Sequence, residues 1–134
     1  MAADTIVLDS GALTALAGSN KSLRIASLKA LRNGARVIVP TVVVAESTTD
    51  GGGRDVSVNR LLKTALIVNC DIVTARSAAA IRFAVRSGPG VVDAIVVATA
   101  DQSPGSIVLT GDPAGLKPLA NVRRLSRVVD INVK

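Results

Sequence analysis

Short runs of branched aliphatic residues alternate along this chain with longer segments in which apolar residues recur at helical spacing. Strands are predicted at 5–8, 37–39, 65–68 and 107–109, with weaker candidates near 122–125 and 128–131. Helices are predicted over 12–17, 22–33, 41–48, 56–64, 74–86, 91–100 and 112–119. Strands that alternate with helices predict an α/β fold, a three-layer α/β/α sandwich with a parallel central sheet.

The segment 41–48 is ambiguous, because its run of Val42, Val43 and Val44 also fits a strand. Elsewhere the chain contains no internal repeat and no domain linker, and its Gly-rich stretch 50–53 predicts only a loop. With 134 residues, 49% of them hydrophobic, the chain can build one core. We therefore expect a single domain spanning 1–134.

The residue types that are missing exclude several kinds of chemistry. The chain has no histidine, no tyrosine and one cysteine, Cys70. It therefore cannot form a Ser-His-Asp triad, a histidine zinc site, a tyrosine nucleophile or a CxxC redox pair. Carboxylate and hydroxyl oxygens, lysine and arginine remain. Oxygen ligands favour hard cations, Mg²⁺ or Mn²⁺.

The net charge of +6 suits a polyanionic partner such as nucleic acid, although it also fits a protein that is merely basic. No apolar run approaches the roughly 18 residues of a membrane span, and the N-terminus lacks the pattern of a secretory signal. With a single cysteine, the sequence predicts a cytoplasmic protein without membrane contact.

Four of the ten acidic residues lie where a parallel sheet would gather them. Asp9 follows the first predicted strand, Glu46 lies in the helix after the second, Asp93 opens the helix 91–100, and Asp112 follows the fourth strand. Because ligands of open α/β sheets bind at the carboxyl ends of strands, we expect these carboxylates to converge on a divalent metal ion. Singly, Asp9 and Asp112 also fit helix caps, and Asp93 also fits the positive end of its helix dipole. Glu46, the only glutamate, also fits an exposed helix face.

Around these acids, segments 6–10, 43–46, 92–98 and 108–113 resemble, in order, the acidic motifs of the PIN domain, and the resemblance spans nearly the whole chain. Length and motif order are similar to those of VapC-type ribonuclease toxins. The resemblance implies an endoribonuclease dependent on Mg²⁺ or Mn²⁺, with Asp9, Glu46, Asp93 and Asp112 as metal ligands. It also implies a homodimer inhibited by a small antitoxin protein.

Two positions near the fourth motif bear on this resemblance. Thr110 matches a hydroxyl position beside the fourth acid, where it is expected to hold a metal-bound water or the phosphate. Many relatives carry a further acid shortly afterwards, where this chain has Ala114 and Gly115. Asp112 is therefore expected to serve that part of the site alone, with weaker metal affinity.

Other functions compete with this interpretation. A receiver-like signalling domain needs an acidic pair after the first strand, where Ser10 follows Asp9, and a haloacid-dehalogenase phosphatase needs an acid at Gly11. A non-catalytic, basic nucleic-acid-binding module would use its acids only as caps and gain nothing from Mg²⁺. RNA-contact candidates are Arg54, Arg60, Lys63, Arg82 and Arg86, whereas Arg123, Arg124 and Arg127 fit a solvated face. Leucines such as Leu13 and Leu16 could line a groove for an antitoxin helix.

Overall fold

A computed structural model describes residues 5–18, 34–49, 55–86, 88 and 90–131. Its strands are β1 (Thr5–Leu8), β2 (Arg36–Pro40), β3 (Leu66–Val68), β4 (Ser106–Thr110) and β5 (Ser126–Asp130). The helices in these ranges are α1 (Ser10–Ala17), α2 (Thr41–Ser47), α3 (Val56–Leu62), α4 (Ile72–Ala84), α5 (Val91–Asp101) and α6 (Pro113–Arg123). None of these helices is long and apolar enough to cross a membrane.

The five strands form one parallel sheet in the order β3-β2-β1-β4-β5. The chain builds outward from β1 through β2 to β3 and then returns to place β4 on the other side of β1. Such a reversal opens a crevice at the carboxyl ends of the two strands that flank it, here β1 and β4. The predicted α/β sandwich with a parallel sheet is therefore confirmed.

Helix α5 lies at the centre of the packing. Every residue from Ala94 to Asp101 is buried, and the helix contacts α4, α6 and the strands β1 and β4. Its small residues, including Ala94, Ala98 and Ala100, let these neighbours approach closely. Fully burying one Val or Leu side chain stabilises a fold by about 1.5–3 kcal/mol, so an aliphatic core without aromatic residues suffices. Buried α5 fixes the places of the two acids near its ends, Asp93 and Asp101.

Several boundary predictions can be compared with the structure. The valine run is helical, since Val43 packs into the core from α2, and the residue that precedes this helix as its cap is Pro40 rather than Thr41. The strand predicted near 122–125 is wrong. Helix α6 continues to Arg123 and closes at Arg124, whose φ of 57° is left-handed and ends the helix. The predicted helix 22–33 and loop 50–53 lie outside the described residues.

The leucines proposed for a groove can be examined only in part, because those at 23, 28 and 31 lie outside the described residues and Leu61 and Leu62 are half-buried. Leu13 and Leu16 are buried in the core, so they cannot line an exposed groove. Helix α4 instead exposes Ile72 and Val73 by 65% and 67%, and Phe83 by 90%. Phe83 is also the only aromatic residue of the chain. An aliphatic protein thus carries its single aromatic side chain on the surface.

Candidate active site

Asp9 directly follows the buried strand β1 and lies at the carboxyl edge of the sheet. The Oδ1 atom accepts a hydrogen bond from the backbone N–H of Ala12 at 2.8 Å, so Asp9 does cap α1. Its Oδ2 atom accepts a second hydrogen bond from the hydroxyl of Thr110, the last residue of β4. The carboxylate is only 6% exposed. Capping and membership of a site thus coexist in one side chain.

Thr110 joins the first acid to the fourth. It is fully buried, and its Oγ1 both donates to Asp9 and accepts from the backbone N–H of Asp112 at 2.8 Å. The backbone segments next to the two acids also lie close together, since a Cβ added to Gly11 would lie 3.5 Å from the backbone nitrogen of Gly111. The hydroxyl of Thr110 therefore fixes the relative positions of Asp9 and Asp112.

Asp112 turns back over the first turn of α6. Its Oδ1 accepts from the backbone N–H of Gly115 at 3.3 Å, which makes it the cap of that helix. A Cβ at position 115 would lie only 2.5 Å from Oδ2 of Asp112, so a larger residue there would force the Asp112 side chain to shift. Gly115 thus leaves the space that the Asp112 carboxylate occupies.

Glu46 is attached to the same edge through Ser10. The Ser10 hydroxyl donates to Oε1 of Glu46 at 2.9 Å, and α2, which carries Glu46, contacts α1. Glu46 is exposed to solvent. Sequence reasoning did not assign Ser10 a role. Its position directly after Asp9 was the available signal.

Asp93 lies half-buried in the first turn of α5. Burial raises the pKa of Asp93 above its ordinary value, and the negative charges of Asp9, Glu46 and Asp112 raise it further. Three carboxylates from three other elements therefore act on the fourth, so the four predicted acids do share one edge of the sheet. The positive end of the α5 dipole favours a carboxylate here, but it does not explain four.

The donor set fits a hard divalent cation. All four side chains offer carboxylate oxygens, and their mutual repulsion is relieved by positive charge. Among the described residues, no three such groups stand close enough to form a ready-made metal cage. Mg²⁺ usually keeps several of its waters and is bound directly through only one or two carboxylates, so charges that act on one another across a wider site suit it.

The predicted basic contacts are partly visible. Arg60 and Lys63 are exposed at the end of α3, and Arg82 and Arg86 are exposed toward and beyond the end of α4. Arg54 lies outside the described residues. These four side chains are therefore accessible to solvent, and their contact with RNA stays a prediction.

Comparisons with known proteins identify the family and support the fold. Residues 6–121 match the family model of the PIN domain, whose members are generally nucleases. One similar solved structure is DNA-bound VapBC from Salmonella typhimurium, with a TM-score of 0.74 and 15% identity over 95% of this chain and 98% of that one. FitAB bound to an IR36 DNA fragment gives a TM-score of 0.66 and 20% identity, over 96% and 97%.

At these identities the two structures establish the fold alone. Among curated proteins, no significant match was found. The family model, by contrast, covers most of the chain and includes all four acids. The chain therefore belongs to the PIN domain family.

Proposed function

We propose that this protein is an endoribonuclease that depends on Mg²⁺ or Mn²⁺ and acts as the toxin of a toxin-antitoxin pair. The observation that carries the proposal is the charge environment of Asp93. Burial and three neighbouring carboxylates all raise its pKa, and no cation among the described residues opposes them. A fold gains nothing from such an arrangement, whereas a metal-dependent hydrolase requires it.

Asp9, Glu46, Asp93 and Asp112 would hold the divalent ion, which would supply an activated water and neutralise charge on the phosphoryl oxygens. The other residues keep these ligands in place. Thr110 fixes Asp9 relative to Asp112, Ser10 holds Glu46, and Gly115 leaves room for the Asp112 carboxylate. Because Thr110 is fully buried, positioning fits it better than direct contact with water or phosphate.

RNA as the substrate is supported by the net charge of +6 and by the motif resemblance. The competing function is a basic module that binds nucleic acid without cleaving it, with its acids serving as caps. Asp9 and Asp112 do cap helices, so capping alone cannot decide between the two. Dependence on a divalent ion can, because a binding module has no use for one.

The test incubates purified protein with end-labelled RNA in Mg²⁺, in Mn²⁺ and in EDTA. We expect cleavage only with a divalent ion, and loss of cleavage in Asp9→Asn, which keeps the Oδ1 acceptor that caps α1. Circular dichroism checks that the variant is folded. Equal cleavage in EDTA, or by folded Asp9→Asn, would contradict the proposal.

The toxin assignment includes a homodimer and an inhibitory antitoxin in the cytoplasm. It is supported by the likeness to VapBC and FitAB and by the apolar surface of α4, where Ile72, Val73 and Phe83 are exposed. Expression alone in a bacterium should arrest growth, and a small protein encoded beside the chain should restore growth and co-purify. If expression of the active nuclease is harmless and no partner co-purifies, the toxin assignment is contradicted and the nuclease proposal is not.

A further inference from the structure

A cavity of about 230 Å³ lies between α6 and β5, away from the four acids. It is lined by Lys117, Ala120, Asn121, Ser126, Arg127 and Val128. Three of these residues share one face of α6 at helical spacing, and the other three are consecutive at the start of β5. We call it the α6–β5 cavity. It sits at the margin of the sheet, because β5 is the last strand in the sheet order.

The lining gives this cavity a positive potential. Lys117 and Arg127 contribute two cations, Asn121 contributes an amide, and the lining includes no carboxylate. The lining residue Ser126 donates its hydroxyl to Oδ1 of the buried Asp101 at 3.0 Å. Guanidinium and ammonium groups are the usual protein partners of phosphate oxygens. The cavity therefore suits an anion of the phosphate class.

The size and walls of the cavity indicate more than a free inorganic ion. Its volume is several times the roughly 30 Å³ that one water occupies in the liquid, which leaves room beside a phosphate group for an attached sugar. Ala120 and Val128 supply the apolar wall against which such a sugar would pack. A phosphodiester unit of a nucleic-acid strand meets both requirements.

The cavity also lies on a path that leads from the carboxylates. Helix α6 starts beside Asp112, and Lys117 follows five residues later, about 7.5 Å along the helix axis. Strand β5 runs parallel to β4, toward the edge that carries the acids. Its first residue, Ser126, is in register with Ser106 and its last, Asp130, with Thr110, so the cavity lies near the opposite end of β4. A strand whose scissile bond reached the four acids could therefore continue along α6 to the cavity.

We propose that the α6–β5 cavity binds a backbone phosphate of the RNA on one side of the scissile bond, an inference that rests on the proposed nuclease function. The neighbouring Arg123 and Arg124 have another explanation, since cations at the end of α6 stabilise its dipole. Lys117 lies in the middle of the helix, where that explanation does not apply. A charge on an outer strand such as Arg127 also discourages pairing with another chain, so the experiment must separate the two roles.

The experiment measures binding of a labelled single-stranded RNA by fluorescence anisotropy in EDTA, so that binding is recorded without cleavage. The variants Lys117→Gln and Arg127→Gln are compared with Arg76→Gln, which removes one charge from an exposed position on α4. We expect each cavity variant to weaken binding roughly tenfold, as loss of a charge-assisted hydrogen bond does. The slope of log affinity against log salt should fall by about 0.7, the value for one single-strand phosphate.

A third variant, Asn121→Asp, adds a negative charge inside the cavity and should weaken RNA binding at least as much. Affinities and salt slopes equal to those of Arg76→Gln in all three variants would overturn the proposal. Cleavage in Mg²⁺ is measured separately on the wild type. If the wild type cleaves RNA but the cavity variants bind like the control, only the cavity proposal is refuted. If the cavity variants bind more weakly but the wild type does not cleave RNA, the nuclease proposal is refuted and a phosphate site remains.

Discussion

The two ends of α5 carry two acidic side chains, and their surroundings differ in one respect. Burial raises the pKa of both Asp93 and Asp101 above the ordinary value. At Asp101 the hydrogen bond from Ser126 and the charge of Arg123 oppose this effect. At Asp93 the charges of three other carboxylates add to it. Burial is thus common to both ends, and only one end accumulates like charge.

That difference separates a structural acid from a functional one. Asp101 has partial compensation, since Ser126 donates to its Oδ1 and the charge of Arg123 lowers its pKa, whereas its buried Oδ2 accepts no hydrogen bond among the described residues. Asp93 has no cationic side chain among the causes that shift its pKa, and burial and three carboxylates all disfavour its ionised form. Carboxylates that lie together without a cationic side chain repel one another, and such clusters are found at functional sites where a bound cation or a proton offsets their charge.

The largest expected effect compares Asp93→Asn with Asp101→Asn. Loss of residues that merely orient metal ligands often costs 10–100-fold in activity, so loss of a ligand should reduce RNA cleavage by at least about a hundredfold. Asp101→Asn keeps an oxygen that accepts from Ser126 and should cleave within about twofold of the wild type. Initial rates at saturating Mg²⁺ measure both. Similar rates for the two folded variants would break the comparison.

A smaller effect is expected at the two ends of β4, each of which buries a hydroxyl. Thr110→Val removes the bond to Asp9 and the acceptor for Asp112, whereas Ser106→Ala removes a bond to the carbonyl of Ala100. Each should lower the free energy of unfolding by about 1–3 kcal/mol, because buried partners are left unsatisfied. Only Thr110→Val should also lose activity, by roughly tenfold. Urea denaturation and cleavage rates test this pair, and equal activity losses would contradict the positioning role.

The smallest effect concerns pH in the absence of metal. A raised folded-state pKa means that the folded protein holds its proton more tightly than the unfolded chain does. Each acid therefore costs stability as pH rises from its ordinary value, 3.8, through the raised one. Relative to the wild type, the melting temperatures of Asp93→Asn and Asp101→Asn should both be higher over this window.

Saturating Mg²⁺ near neutral pH should stabilise the wild type and Asp101→Asn but not Asp93→Asn. An equal metal-induced shift in all three proteins would place the ion elsewhere.

Much of this architecture follows from local pattern. Aliphatic runs identified the strands. Acids at or shortly after the ends of strands, as with Asp9 and Asp112, identified the edge where they meet. Features that depend on contacts between distant segments could not be read in this way. Ser10 meets Glu46 across 36 positions, and the burial of Asp101 depends on Ser126, 25 positions later.

Other failures have a steric origin. The space that Gly115 leaves for Asp112 depends on how the side chain turns over α6, which no pattern of residue types records. The predicted strand near 122–125 failed because Val122 continues α6, and β propensity is a weak guide beside the end of a helix. For Leu13 and Leu16 the sequence left a groove and the core as alternatives, and the structure places both in the core.

The exposed Phe83 has a practical consequence for anyone who follows this protein in solution. With no tryptophan and no tyrosine, the folded core is almost silent in ultraviolet absorbance and intrinsic fluorescence. A single Phe83→Trp replacement would introduce one fluorophore at a position that is 90% exposed, where it disturbs no core packing. Its emission would shift to shorter wavelength when another molecule covers α4 and would otherwise report water. The surface that carries the chain's only aromatic ring could thus record each encounter in real time.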